Sequence, residues 1–340
     1  YNCIKISSLS LNTFETSNVI DMSYMFYNCI KISSLSLNTF ETSNVIDMSY
    51  MFYNCIKISS LSLNTFETSK VIDMSYMFYN CISLTSLDLQ KFKTPLVENM
   101  EYMFYGCSSM TDLLIKNSRF TTNSVTNMSH MLALCKNLNS IDVSKFNTIN
   151  VKNMNSMFKN CENLKVLNIQ YFYTSNVTDM GHFFDSCYNL DNLNLNIDNF
   201  NTSKVENMEY MFSNCRKLES IDLSKFDTSK VTNMRNMFES CESLKNIDVS
   251  SFTTSKVTNM EYLFHDCRTL ENLNILNFET SLVADMGHMF SLCPKLKSLN
   301  LENMDTSKVT NMESMFKECS SLKDLNLSNF NTYNVINMSN

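Results

Sequence analysis

Residues 29–55 read CIKISSLSLNTFETSNVIDMSYMFYNC, and this stretch decides the fold because its pattern recurs along the whole chain. The protein has thirteen cysteines, which lie 26 residues apart at ten intervals and 28 residues apart at the other two. A fixed period of this length is typical of a repeat array in which each repeat packs against its neighbours. The sequence therefore predicts one array over residues 1–340 with about 13 repeats, the two longer ones near residues 107–135 and 187–215.

The first half of each repeat alternates between apolar and polar residues. Leu35 and Leu37 would point to one side of an extended chain, whereas Ser34, Ser36 and Asn38 would point to the other. Alternation with a period of two predicts a short strand with one buried face. Strands from successive repeats would then form a parallel sheet along one side of the array.

The second half of each repeat has a different period. In residues 29–55 its apolar positions are spaced by 3, 3, 1 and 3 residues, at Val45, Met48, Met51, Phe52 and Cys55. Plotted at about 100° per residue, they form one stripe, which predicts a short amphipathic helix, either α or 3-10. Thr42 and Ser43 precede this stripe, where a hydroxyl could cap the first turn, and Asp47 would suit the helix dipole. The crossover between strands should be right-handed.

The complete pattern is Cys-x-x-Leu-x-x-Leu-x-Leu-x-x-Phe-x-Thr-Ser-x-Val-x-x-Met-x-x-Met-Phe-x-x-Cys, with residues 217–241 as a near-ideal copy. It resembles the BspA-like leucine-rich repeats, in particular the type with about 25–26 residues found in mycoplasma surface lipoproteins. The resemblance covers essentially the whole chain. It implies an α/β leucine-rich-repeat solenoid with a parallel sheet on one side and short helices on the other. It also implies a cell-surface or extracellular location, a link to adhesion, and no catalytic residue.

Composition narrows the class of partner. The net charge is −7 and the pI is about 5.2, which disfavours nucleic acid and anionic membrane surfaces because both attract basic patches. No apolar run approaches the ~18 residues that span a bilayer. The chain opens at Tyr1 and stops at Asn340 part-way through a repeat, so we expect both ends to be cuts inside a longer array. Membrane attachment would then need an anchor outside these residues.

The cysteines and histidines do not predict a chemical site. Each repeat supplies one thiol, whereas a zinc site usually begins with two cysteines close in sequence. Equivalent side chains in stacked repeats also point the same way, which disfavours disulfides, so we interpret the cysteines as buried small apolar residues. Three of the four histidines occupy a position where other repeats carry Tyr, and are interpreted as surface residues. We therefore predict no catalytic, cofactor-binding or metal-binding residue.

Two surfaces are candidates for binding. The first is a polar column at the outward end of the strands, formed by Asp88, Asp142, Asn168, Asn194, Asp222, Asp248, Asn274 and Asn300. It predicts a shallow face for a protein or glycan partner, or simply a solvated sheet. The second is a row for lateral contact between arrays, formed by Tyr24, Tyr50, Tyr76 and Tyr102. The extra residues of the longer repeats, Lys116–Arg119 and Asn196–Asn199, should bulge where the strand ends.

Three functional hypotheses follow. The first is a non-enzymatic, adhesin-like surface scaffold that binds a protein or glycan. The second is a structural protein of an extracellular filament or sheath, which the three near-identical repeats over residues 1–78 favour. The third is an intracellular leucine-rich-repeat scaffold, which reduced cysteines would suit.

Overall fold

The computed structural model describes residues 3–115, 119–191, 197 and 199–340. Packing divides the chain into two compact units, Tyr1–Tyr173 and Thr174–Asn340. Asn194 and most of the extra residues of the two longer repeats, 116–118, 196 and 198, lie outside the described residues.

Short parallel strands form at six of the repeats in the described residues, as the alternating half of the repeat predicts, whereas residues 34–38, which show the same alternation, form no strand. In the first compact unit, β1 (Ser86–Asp88) pairs with β2 (Asp112–Leu114), and β3 (Ser140–Asp142) pairs with β4 (Val166–Asn168). In the second, β5 (Asn246–Asp248) pairs with β6 (Asn272–Asn274). Each pairing joins equivalent residues of successive repeats, and each strand buries only its central residue. This confirms a repeat fold with parallel strands that are buried on one face.

The prediction of short helices is wrong for the described residues. The second half of the repeat forms consecutive turns in which Met25 N–H donates to Met22 O (3.4 Å) and Tyr27 N–H donates to Tyr24 O (3.1 Å). Other amides of the same segment bond to the next repeat: Met22 N–H donates to Asp47 O (2.9 Å) and Tyr24 N–H donates to Ser49 O (3.0 Å). Some amides therefore close a local turn, and others bond to the next repeat. We call this second half of the repeat the turn segment; its bonds form a ladder of backbone hydrogen bonds between repeats, in addition to the ladder between the strands.

Left-handed backbone explains why no helix forms. Tyr24 has φ 55° and Asn28 has φ 56°, and equivalent residues repeat these values along both compact units. A residue in this region reverses the local path of the chain and ends a right-handed helix. The spacing of 3, 3, 1 and 3 is satisfied equally well by turns, which point the same five side chains inward.

The interior confirms the predicted apolar positions. In one repeat of the first unit the residues with 0–1% exposure are Val71, Met74, Met77, Phe78 and Cys81. In one repeat of the second unit the equivalent residues, all with 0% exposure, are Val231, Met234, Met237, Phe238 and Cys241. Phenylalanine rings stack between repeats, with centroids 5.5 Å apart for Phe78–Phe104 and for Phe238–Phe264. Burial of these rows supplies the main stabilisation of each array.

A buried threonine joins each repeat to the next. Thr68 Oγ1 donates to Lys93 O (2.8 Å) and accepts from Lys93 N–H (2.8 Å). Thr228 in the second unit does the same with Thr253, at 2.8 Å for each bond. Thr42 likewise bonds both backbone groups of Glu67, so the predicted role of its hydroxyl as a helix cap is wrong. We call this bidentate contact the threonine clasp.

The thiols lie in the core, as interpreted from the sequence. None of the thirteen cysteines, all of which lie in the described residues, forms a disulfide; Cys3 and Cys319 are partly exposed and the other eleven are buried. The Cys81 thiol donates to Phe52 O (3.2 Å) and that of Cys241 to Phe212 O (3.2 Å). Burial raises the pKa of Cys81 and of Cys241 to about 12, so both stay protonated and chemically inert near neutral pH.

Candidate binding surfaces

The described residues of the polar column at the strand ends are exposed or, at Asp142 and Asn168, partly exposed, and they have a structural role. Asp88 Oδ1 accepts a hydrogen bond from Gln90 N–H (2.9 Å), and Asp248 Oδ1 accepts one from Ser250 N–H (2.9 Å). The same contact, two residues ahead, is made by Asp142, Asn168, Asp222, Asn274 and Asn300. Each side chain forms an Asx turn that ends the strand, which explains why Asp and Asn recur here. One side-chain oxygen is used in this way, and the rest of the group faces outward.

In the second compact unit part of this column lines a groove. The groove lies over β5 and β6, encloses ≈ 480 Å³, and is lined by Asn246, Ile247, Asp248, Ser250, Asn272, Leu273, Asn274 and Ser298. Asn272 Nδ2 donates to Asn246 Oδ1 across the two strands (3.3 Å). The pKa of Asp248 is lowered by hydrogen bonds from the Ser250 side chain and backbone, so its carboxylate is charged at neutral pH. The structure thus brings Asp248 and Asn274 of the predicted face together on adjacent strands.

The tyrosine row of the first compact unit forms a continuous stack. Ring centroids of Tyr24, Tyr50 and Tyr76 are 4.5 Å apart, and Tyr102 follows Tyr76 at 4.7 Å. A second row, which the sequence prediction did not include as a site, stacks at 4.5–4.7 Å through Tyr27, Tyr53, Tyr79 and Tyr105. The two rows also touch, with Tyr50 and Tyr53 centroids 5.6 Å apart. Because the ring faces are covered by neighbouring rings, the outer surface consists of ring edges and hydroxyl groups.

Isoleucines flank these tyrosines in the chain. Ile20, Ile46 and Ile72 precede the first row and are 57%, 42% and 43% exposed. Ile30 and Ile56, which are half-exposed, and the exposed Ile82 follow the second row. We call the two tyrosine rows and the two isoleucine rows together the aromatic face. It presents large apolar side chains to solvent over three successive repeats.

The same repeat positions of the second compact unit are more polar, although Tyr210 and Tyr262 remain at the first-row position. His182 Nδ1 lies 2.8 Å from Asp185 Oδ2, and its Nε2 lies 3.9 Å from Glu209 Oε1. His265 Nδ1 lies 2.5 Å from the buried Ser291 hydroxyl. Burial lowers the pKa of His265 against the opposing effect of Glu239 and Asp266, so the ring is mainly neutral at pH 7. His265, which lies outside the histidine column interpreted as surface, is half-buried.

Neither a metal site nor a membrane span is found in the part of the chain that the structure describes. Over those residues, no three His, Cys, Asp or Glu side chains are grouped so that they could hold a metal ion. No helix there is long and apolar enough to cross a bilayer.

One signal in the sequence could have revealed the turns. The column at residues 28, 54 and 80 is Asn, and Gly106 continues it. Asn and Gly are the residues that most readily adopt positive φ, and Gly106 has φ 72°. The neighbouring column of Tyr, His and Ser gives no such signal, because these residues adopt positive φ much less often.

Comparison with known protein families identifies the family to which the repeats belong. The family described as "Mycoplasma protein of unknown function, DUF285" matches residues 1–117, 84–192, 160–273 and 258–340, which together span the chain. This confirms the relationship to mycoplasma repeat proteins that the sequence predicts. No curated protein matches the chain.

Similar solved structures are leucine-rich-repeat proteins. A leucine-rich cell surface protein from Faecalibacterium prausnitzii is 19% identical and has a TM-score of 0.35, with 75% of this chain and 77% of that chain covered. A leucine-rich-repeat protein from Bacteroides ovatus is 17% identical with a TM-score of 0.42, covering 90% and 81%. An internalin from Listeria monocytogenes is 14% identical with a TM-score of 0.27, covering 82% and 77%. Likeness at this level extends no function to the present chain.

Proposed function

Because the chain belongs to this family of mycoplasma repeat proteins of unknown function, we propose that it is a non-enzymatic, surface-displayed scaffold that binds a protein or glycan partner. The groove over β5 and β6 carries the proposal. It presents carboxylate, amide and hydroxyl groups on adjacent strands, at Asp248, Asn246, Asn274 and Ser250. Amides offer donors and acceptors together, which suits hydroxyl-rich ligands and polar peptide surfaces.

The repeat architecture supports a scaffold rather than an enzyme. The inward side chains of each repeat pack in the core, and its strand-end side chains form Asx turns. Variation is left to outward positions, which is how repeat arrays generate extended binding surfaces. The acidic net charge favours a neutral or basic partner over nucleic acid.

Substitution of aspartate by asparagine separates binding from folding. Asp248→Asn removes the charge from the groove but keeps a side-chain oxygen that can accept from Ser250 N–H. A matched control is Asp305→Asn, since Asp305 makes the same turn with Ser307 N–H (2.9 Å) but does not line the groove. The chain and both variants are screened against arrays of glycans and host-matrix proteins. We expect a ligand that binds the chain and the control but loses affinity for Asp248→Asn; equal binding by all three contradicts the role of the groove.

Surface display has a separate test. Intact cells that express the full-length protein are treated with an amine-reactive biotin reagent that does not cross membranes. Lys245 and Lys297 have 59% and 62% side-chain exposure, so a surface-displayed protein is labelled on intact cells. Labelling only after lysis favours the intracellular scaffold instead.

A further inference from the structure

We propose that the aromatic face of the first compact unit binds the same face of a second copy of the chain. This contact is distinct from the groove and does not depend on the function proposed for it. The face consists of tyrosine edges and isoleucine side chains, and tyrosine is among the residues that contribute most to protein–protein contacts. Desolvation of Ile46, Tyr50 and Tyr53, which are all partly exposed, provides the driving force.

Charge favours self-pairing of this face. Its four rows carry no charged side chain in the first three repeats, and the exposed charges beside them, Asp21, Lys31 and Lys57, are of both signs, which limits like-charge repulsion between two copies. Asp47, which lies between Ile46 and Tyr50 in the chain, accepts from Ser49 N–H (2.8 Å) and belongs to an internal turn. In the second compact unit the same positions include Glu206, Arg216, Glu239, Glu242 and Arg268. The rows of the first surface are uncharged, and Glu101 beside them accepts a hydrogen bond from the Tyr76 hydroxyl (3.0 Å), so this surface suits self-association of an acidic chain better than the second.

The spacing of the rings selects the partner. Successive rings of each row are 4.5–4.7 Å apart, which is the distance between adjacent β-strands. A partner contacts several repeats in the same way only if its own side chains recur at this distance. A second copy meets this condition over residues 1–78, where the three repeats are identical except for Lys70 in place of Asn18 and Asn44. A two-fold contact between identical faces is the commonest arrangement of homodimers.

Sedimentation velocity of the purified chain over a range of concentrations tests the proposal. We expect reversible dimerisation that weakens about 100-fold in the double variant Tyr53→Ser/Tyr79→Ser, because interfacial tyrosines contribute strongly. Serine is compatible with this position, since Ser213 and Ser291 occupy it in the second compact unit. The matched control is Tyr210→Ser/Tyr262→Ser, which also removes two tyrosines. A chain that stays monomeric at every concentration, or a control that weakens association equally, overturns the proposal.

Two variants of opposite charge at Tyr53 and Tyr79 provide a second test, in which association can be restored although the tyrosines are absent. Lys159, Lys317 and Glu239 show that charged side chains fit the same repeat position. We expect Tyr53→Lys/Tyr79→Lys and Tyr53→Glu/Tyr79→Glu each to remain monomeric alone and to associate when mixed. Circular dichroism confirms that both variants are folded. If the lysine variant associates with itself as tightly as the unmodified chain, the aromatic face is not the interface.

Discussion

Residues 45–56 of the first compact unit and 205–216 of the second occupy the same repeat positions and differ almost only where side chains face outward. Both segments carry Val, Met, Met, Phe and Cys at the inward positions. At the other positions, Ile46, Tyr53 and Ile56 in the first correspond to the exposed Glu206, the buried Ser213 and the exposed Arg216 in the second. Packing and hydrogen bonding between repeats fix the inward residues, whereas the outward residues are free to determine which partner each unit binds.

The largest effect should be the same in both compact units. Phe78→Ala and Phe238→Ala each remove a fully buried ring and should lower the free energy of local opening by about 3–5 kcal/mol. Hydrogen exchange measured by mass spectrometry reports this free energy separately for peptides of each unit. Ile72→Ala, at an exposed position, serves as the control and should change little. A loss confined to one unit would show that the two interiors are not equivalent.

The threonine clasp should give the next largest effect, again in both units. Thr68→Val and Thr228→Val keep the shape of the side chain but remove the hydroxyl that bonds both backbone groups of the next repeat. Leaving these groups without a partner costs about 1–3 kcal/mol. The same exchange experiment measures the loss, and Thr68→Ser, which keeps the hydroxyl, should retain most of the stability. A neutral Thr→Val change would show that water replaces the clasp.

Substitutions at residues with positive φ should change the stability of the two units in opposite directions. Gly106→Ala places a Cβ against Asn80 Oδ1 at φ 72° and should destabilise the first unit by about 1–2 kcal/mol. Leu292→Asn replaces a residue at φ 59° by one that tolerates it and should stabilise the second by about 0.5–1 kcal/mol. Thermal denaturation of the whole chain detects both shifts. The same sign for both changes would mean that side-chain contacts outweigh backbone strain.

The smallest effect should be a dependence of stability on pH at His265 of the second compact unit. Burial lowers the pKa of His265 in the folded chain, although Glu239 and Asp266 oppose the shift and His288 adds to it. Because the unfolded state binds the proton more tightly, stability is fully present above pH ~6.5 and declines as the pH falls towards the folded pKa. Hydrogen exchange at pH 7 and pH 5, corrected for intrinsic rates, measures the decline. It should disappear in His265→Ser, whereas the corresponding Tyr53 of the first unit does not titrate in this range.

Periodicity predicted the parts of the fold that depend on burial. The period of two identified Leu37 correctly as buried, although Leu35 is only partly buried, and the stripe from Val45 to Cys55 identified inward side chains correctly. The same stripe did not reveal the backbone conformation, because spacings of three are satisfied by a helix and by consecutive turns alike. The deciding property was positive φ at Tyr24 and Asn28, which depends on hydrogen bonds to a neighbouring repeat.

The candidate surfaces were predicted less completely. Sequence reasoning chose Asp248 and Tyr50 because they face outward, but it did not anticipate that an Asx turn already uses Asp248. It also left Tyr53, which belongs to a second stack, outside the predicted row. Stacking and turn formation depend on distances between repeats, which spacing within one repeat does not contain.

The threonine clasp also has a mechanical consequence. A hydroxyl that bonds both the N–H and the C=O of one residue in the next repeat resists separation of the repeats through two bonds at once. Within each compact unit, tension along the array loads this pair together with the ladder of the turn segment and the backbone bonds between strands. Neighbouring repeats therefore part in one cooperative step at high force instead of peeling apart bond by bond.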